Sequence, residues 1–347
     1  MIYNNVYISG FGYHLPEKRV STRELEQRLA RVYKTLRIAV GQLEVMTGIK
    51  ERRWWPKGYQ VSSGAIEAGR VALSKAGMRG SDLDALIYAG VCRDYFEPAT
   101  ACRVGSALGL REDATAYDVS NACLGVMNGI IDIANRIELG QIQTGMVVSC
   151  ESSREVTEDI INQLQENPDM EYFKDSIATL TGGSGAAAII ISSKARATSK
   201  AHKILGGVSR SNLQQHNLCR WGVRRRSGQT LEQFTITDAV GVLKHGLDIG
   251  AKTWASLLSE LDWHSNQVSK VISHQVGKTH RLSILKKLGI PENRDYKTFD
   301  LLGNVGTVSL PLSAAMAADN SFLNAGDRVG LLGIGSGLNC LMLGVEW

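Results

Sequence analysis

With 347 residues, 44% of them hydrophobic and 21% charged, the chain can bury a substantial core and is too apolar to be disordered. Its net charge of +5 comes from 39 Lys and Arg against 34 Asp and Glu, but six of the bases lie between Lys203 and Arg226 with no acid among them; the near-neutral remainder excludes a general nucleic-acid binder. No apolar run approaches the ~18–20 residues of a spanning helix. The opening MIYNNVYISGFGYHLPEKRV has neither the charged start nor the apolar stretch of a signal peptide, so a cytoplasmic protein without a membrane span is expected.

Along the chain, Asp84–Gly90 reads as a strand, and Ala116–Cys123 as a short strand ending in a turn of small residues. The segment 124–139 then places Val126, Met127, Ile130, Ile133, Ala134 and Ile137 at helical spacing, closed by Gly140. Met146–Ser149 and Ala186–Ile191 read as strands, and a Gly-, Ser- and Arg-rich basic stretch follows. Val268–His274 is another strand. Lys297–Leu301 is read as a strand running into Gly303-Asn304-Val305-Gly306, then Ser309–Ala318 as a helix, and Arg328–Ile334 and Asn339–Val345 as strands. Tyr117-Asp118-Val119 superposes on Phe299-Asp300-Leu301 at an offset of 182, and Met146–Val148 on Arg328–Gly330 at the same offset. Such repetition implies two α/β halves, 1–192 and 233–347, each with a helix-covered mixed sheet, joined by a basic connecting segment, 193–232.

Six cysteines form no CxxC pair, so no structural metal is expected and most should be buried small hydrophobes. Cys123 differs, because it stands at a strand-to-helix junction. Backbone N–H groups and the positive helix end there favour a thiolate and are expected to lower its pKa. His274 ends a strand at the sheet rim, where an imidazole can act as acid, base or oxyanion donor. Asn304 occupies the corresponding turn of the second half, where an amide can donate to an oxyanion. Each residue also has a bland structural reading; their placement in symmetry-related turns favours the chemical one. The glycine-rich pieces are not nucleotide loops. Thr181–Gly185 leads into a strand, and Gly333–Gly337 is followed by only ten residues, which leaves no room for a βαβ unit. The second suits close approach to a bound acyl group, with the Gly337 N–H as an oxyanion donor.

In order along nearly the whole chain, Ile8–Glu17, Thr47–Arg53, Asn121-Ala-Cys123, Ile272-Ser-His274-Gln and Gly303-Asn304 resemble the ketoacyl synthase III branch of the thiolase superfamily. The resemblance implies a five-layered αβαβα fold and a Cys–His–Asn site of Cys123, His274 and Asn304. Val91–Thr100, Leu302–Pro311 and Gly333–Leu338 look most like the condensing thiolases of long-chain olefin biosynthesis (OleA-type). That likeness implies a homodimer in which the glutamate corresponding to Glu97 is supplied across the interface as a base. The Trp and Arg that commonly clasp the adenine of coenzyme A in priming synthases are replaced here by Gln42 and Met46.

The expected reaction is a non-decarboxylative Claisen condensation of two acyl-CoA thioesters through an acyl-Cys123 intermediate. Backbone N–H groups of Cys123 and Gly337 hold the oxyanion, and the product is a β-keto acid or β-ketoacyl thioester. Coenzyme A thioesters enter as substrates and no cofactor is expected; Arg224, Arg225 and Arg226 are candidates for their phosphates. Acyl carrier protein or downstream pathway enzymes are further candidate partners. A priming synthase using a malonyl donor would need no base, so Glu97 separates the two readings. A Cys–His–Asn hydrolase shares the chain order but lacks the cysteine-protease signature around Cys123, and a non-catalytic subunit of the same fold has no need of all three polar groups.

Overall fold

The computed structural model describes residues 1–225 and 231–347. Its first part runs β1 (Val6–His14), β2 (Lys18–Ser21), α1 (Thr22–Arg28), α2 (Ala30–Leu36), α3 (Gln42–Thr47), β3 (Glu51–Trp54) and α4 (Val61–Ala76). There follow β4 (Ala85–Ala89), α5 (Thr100–Leu108), β5 (Thr115–Val119), α6 (Gly125–Glu138), β6 (Thr144–Glu151), α7 (Arg154–Glu166), α8 (Met170–Leu180) and β7 (Gly185–Ser193). The remainder comprises β8 (His202–Ser211), β9 (Cys219–Arg225), β10 (Leu231–Thr237), α9 (Ala239–Glu260), β11 (Lys270–Ser273) and α10 (Lys278–Leu288). It closes with α11 (Phe299–Leu302), α12 (Ser309–Asp319), β12 (Arg328–Gly335) and β13 (Asn339–Glu346).

Nine strands share one sheet in the order β11-β12-β13-β8-β1-β7-β6-β4-β5. The run β4-β6-β7-β1 is parallel, antiparallel, antiparallel, and β11-β12-β13-β8 repeats those relations. The two runs meet where β1 pairs with β8. Helices α4 and α5 pack on one leaf, α9 on the other, and α6 and α12 on the faces between them, giving the αβαβα layering. Central strands such as β4, β6 and β7 are buried along their whole length, as strands covered on both faces should be. The largest apolar cluster runs from Ile87 and Val147 through Val126 and Ile130 of α6 to Leu331 and Leu341, so α6 is clamped between both leaves.

Two expectations change. The connecting segment 193–232 contributes β8, hydrogen-bonded between β13 and β1, so much of it is sheet. The strand expected over Lys297–Leu301 is instead the one-turn helix α11. Its entry is fixed by the Gln275 side chain, whose Oε1 accepts from the N–H groups of Thr298 (2.9 Å) and Phe299 (3.2 Å) and withdraws them from any ladder. The sheet contact lies upstream, as a parallel bridge of Asp295 to Val271.

Candidate active site

Cys123 stands two residues before α6, and Ala122 ahead of it has φ 44°, a left-handed conformation that is costly for a residue with a Cβ and suits a small one. The turn is held by Leu124 N–H donating to Asn121 O (2.9 Å). One of the orphan N–H groups at the helix start, that of Val126, donates to Thr307 Oγ1 (2.9 Å), so the second half of the chain caps the helix that carries the cysteine. Cys123 opens on a cavity of about 480 Å³, shared with Glu151, Cys219, Arg220, Asn304 and Ser336. Burial pushes the thiol pKa up to about 12, with Cys219 and Glu151 adding to it and a backbone N–H opposing. The expected lowering at the helix end is therefore reversed, and the resting group is a thiol.

Asn304 has its backbone locked by donating to Thr181 O (3.0 Å) and accepting from Gly183 N–H (2.9 Å). Its Oδ1 accepts from Gly306 N–H (3.1 Å), which assigns the amide orientation and leaves Nδ2 as the donor for the cavity. His274 follows β11, is 3% exposed, and donates its backbone N–H to Leu332 O. Burial, then the nearby His280, pushes its imidazole pKa down to about 3, so the ring is neutral at pH 7. His274 and His280 share a small apolar pocket with Gly333 and Cys340. Gly333 also lies close to the residue after the cysteine: a Cβ there would lie 2.6 Å from the Leu124 side chain. The end of β12 abuts the same turn, for a Cβ on Gly335 would lie 3.5 Å from the Cys123 nitrogen. Gly337 has φ 137° and no room for a side chain beside Asn339, so glycine is required there.

Glu97 is not in this chain's cavity. It is exposed on the loop between β4 and α5, beside Tyr95 and a Phe96 that is 99% exposed. Arg224 is not there either: its guanidinium stacks over Phe234 (5.3 Å) in a cleft with Asp169, Glu171 and Asp175, acidic surroundings unsuited to a phosphate. The Arg225 side chain and Arg226 lie outside the described residues. Among the described residues, the basic side chain that lines the Cys123 cavity is Arg220. Sequence reasoning also missed Glu151, although a charged residue closing the apolar strand Thr144–Glu151 was a visible signal.

Residues 258–347 match the family model for the C-terminal part of 3-oxoacyl-[acyl-carrier-protein (ACP)] synthase III. The chain is 50% identical to an acyl-CoA:acyl-CoA alkyltransferase of Shewanella oneidensis and 33% identical to one of Xanthomonas campestris, covering 100% of each protein and of itself. Among solved structures, cerulenin-bound Xanthomonas campestris OleA superposes with a TM-score of 0.94 at 32% identity, over 100% of this chain and 98% of that one. The 3-oxoacyl-(acyl carrier protein) synthase III FabH of Xanthomonas oryzae follows with a TM-score of 0.92 at 32% identity, over 100% of both. Whole-length identity, the layered fold and the Cys123–Asn304 cavity agree: the chain belongs to the acyl-CoA:acyl-CoA alkyltransferase (OleA) family, in the ketoacyl synthase III branch of the thiolase superfamily, and is an acyltransferase.

Proposed function

We propose that the protein joins two acyl-CoA thioesters by a non-decarboxylative Claisen condensation, working as a homodimer whose partner subunit's Glu97 completes each site. In the first half-reaction the Cys123 sulfur attacks the thioester carbonyl, and the Cys123 and Gly337 N–H groups receive the oxyanion. The thiol proton passes to the departing coenzyme A, which leaves as free thiol. In the second, the partner subunit's Glu97 removes an α-proton from another acyl-CoA, and Asn304 Nδ2 and His274 donate to the enolate oxygen. The enolate carbon attacks the acyl-Cys123 carbonyl and the cysteine sulfur is expelled, giving a β-ketoacyl thioester or, after hydrolysis, the β-keto acid. A solved Xanthomonas campestris OleA variant with its cysteine replaced by serine holds lauric acid and lauroyl-CoA, which supports acyl-CoA as the substrate class here.

One observation carries the base assignment. Glu151 is the sole carboxylate among the described residues lining the Cys123 cavity, and its two oxygens are engaged by the N–H groups of Val91 (2.9 Å) and Cys92 (3.1 Å). On this reading Glu151 serves to hold the loop, and the base is the partner subunit's Glu97, whose exposed loop is rooted at that carboxylate. Incubation with a single acyl-CoA and no malonyl donor tests the reading by mass spectrometry. A β-keto product is expected from the native chain, and Glu97→Gln should stop at the acyl-enzyme. Acyl-enzyme alone from the native chain would reject it in favour of the malonyl-dependent synthase.

A further inference from the structure

The loop that carries Glu97 has a fixed base and a free tip. At its near end the Glu151 carboxylate accepts from Val91 and Cys92, and Tyr88 donates its hydroxyl to Cys92 O (2.7 Å). Asp94 accepts from Ser62 N–H (3.2 Å) and pairs with Arg103 (3.2 Å). At the far end a second carboxylate, Asp118, accepts from the first N–H groups of α5, those of Thr100 (3.0 Å) and Ala101 (2.9 Å). Between them Tyr95, Phe96, Glu97 and Pro98 form an exposed run, with Phe96 almost wholly in solvent. Glu151 is 5% exposed and, unlike Asp118, also lines the Cys123 cavity; a Cβ on Gly306, in the turn after Asn304, would lie 3.4 Å from its Cγ.

We infer that Glu151 is a positioning residue acting across the dimer: it sets the base of the loop by which its own subunit delivers Glu97 to the neighbouring site. The inference rests on the proposed sharing of Glu97 between subunits. A carboxylate offers an acceptor to each of two adjacent N–H donors, whereas a glutamine offers one and turns an NH₂ towards the other. Glu151→Gln therefore loosens the loop's root and misplaces the base by an amount that matters, since displacements near 1 Å cost about 10²-fold in rate. The residue that lines one cavity thus governs turnover in the other.

Hybrid dimers separate this from a local role. Two differently tagged subunits are co-expressed and the hybrid is isolated by sequential capture. One carries Glu97→Gln and keeps Cys123, while the other carries Cys123→Ala and keeps Glu97, so a single complete site forms. Adding Glu151→Gln to the subunit that keeps Glu97 should lower kcat by about 10²-fold with little change in KM. Cys123 acylation in the other subunit should persist by mass spectrometry. The same substitution in the subunit that keeps Cys123 should cost at least tenfold less. Equal losses in the two placements, a larger loss in the second, or no loss in either would overturn the inference. If the glutamine variant does not assemble, Glu151→Asp, which keeps two acceptors but withdraws them by one methylene, is compared in the same two placements with the same asymmetry expected. An inactive reference hybrid, before any change at Glu151, would instead refute the sharing of Glu97 and remove this inference with it.

Discussion

A buried, neutral His274 makes the protein acid-sensitive in a way that one substitution should relieve. In the unfolded chain this imidazole titrates near its ordinary value of about 6.5, whereas in the folded state burial holds its pKa at about 3. Between those values the unfolded state binds a proton that the folded state refuses, so this contribution to stability is intact above about 6.5 and lost as pH falls towards 3. Each pH unit below the ordinary value costs about 1.4 kcal/mol, so roughly pH 4.5 should see about 2.5 kcal/mol of stability lost through this residue relative to pH 7. His274→Asn keeps a polar group of similar reach and cannot titrate. Urea unfolding of both proteins at the two pH values, at one protein concentration, measures the difference. The native chain should lose about 2.5 kcal/mol more than the variant. An identical pH dependence would mean that His274 is not buried in its neutral form, and the description of the ring as a neutral donor would fall with it.

Other expectations follow from the same geometry. Cys123→Ala should form no acyl adduct by intact-protein mass spectrometry, and a stoichiometric adduct on that variant would displace the nucleophile. Asn304→Ala should slow condensation by about 10²–10³-fold while acyl-Cys123 still forms, measured as single-turnover acylation beside steady-state product formation. Thr307→Val removes the acceptor of the Val126 N–H at the buried start of α6 and should cost about 1–3 kcal/mol in urea unfolding, with slower acylation as the cysteine turn loosens.

Local patterns carried most of the frame. The apolar spacing of 124–139 and the runs in β4, β6, β7, β12 and β13 each answer to a period that burial enforces, and Cys123 and Asn304 stood out because both occupy turns of small residues. What was not legible depended on distant partners. The Lys297–Leu301 stretch has strand-like composition, but Gln275 takes its entry N–H groups and leaves one helical turn. For the thiol, the helix-end argument is local, whereas the burial that outweighs it comes from the β9–β10 hairpin and the turn after Asn304 closing over the cysteine. Consecutive arginines say nothing of what each will face: Arg224 meets Phe234 and three acids, while Arg220, four residues earlier, reaches the cavity.

The burial that makes the chamber suitable for carbon–carbon bond formation also explains why its base should be kept elsewhere. Cys123 and His274 are both driven to their neutral forms there, and Glu151, despite two N–H donors, is raised from its ordinary value by burial. A carboxylate built permanently into such a site pays in desolvation and must be tied down by donors, as Glu151 is by the N–H groups of Val91 and Cys92. Glu97 escapes the conflict, since in the single chain it is exposed and hydrated. On the proposed reading it is withdrawn from water only where two subunits meet over a bound acyl-CoA, just as a weakly acidic α-proton is presented. The two cavity carboxylates then have opposed requirements: one must be fully hydrogen-bonded to hold a loop, the other must be under-solvated to take a proton. If Glu97 were as well hydrogen-bonded at the interface as Glu151 is inside the protomer, Glu97→Gln would barely change turnover, and that outcome would break the argument.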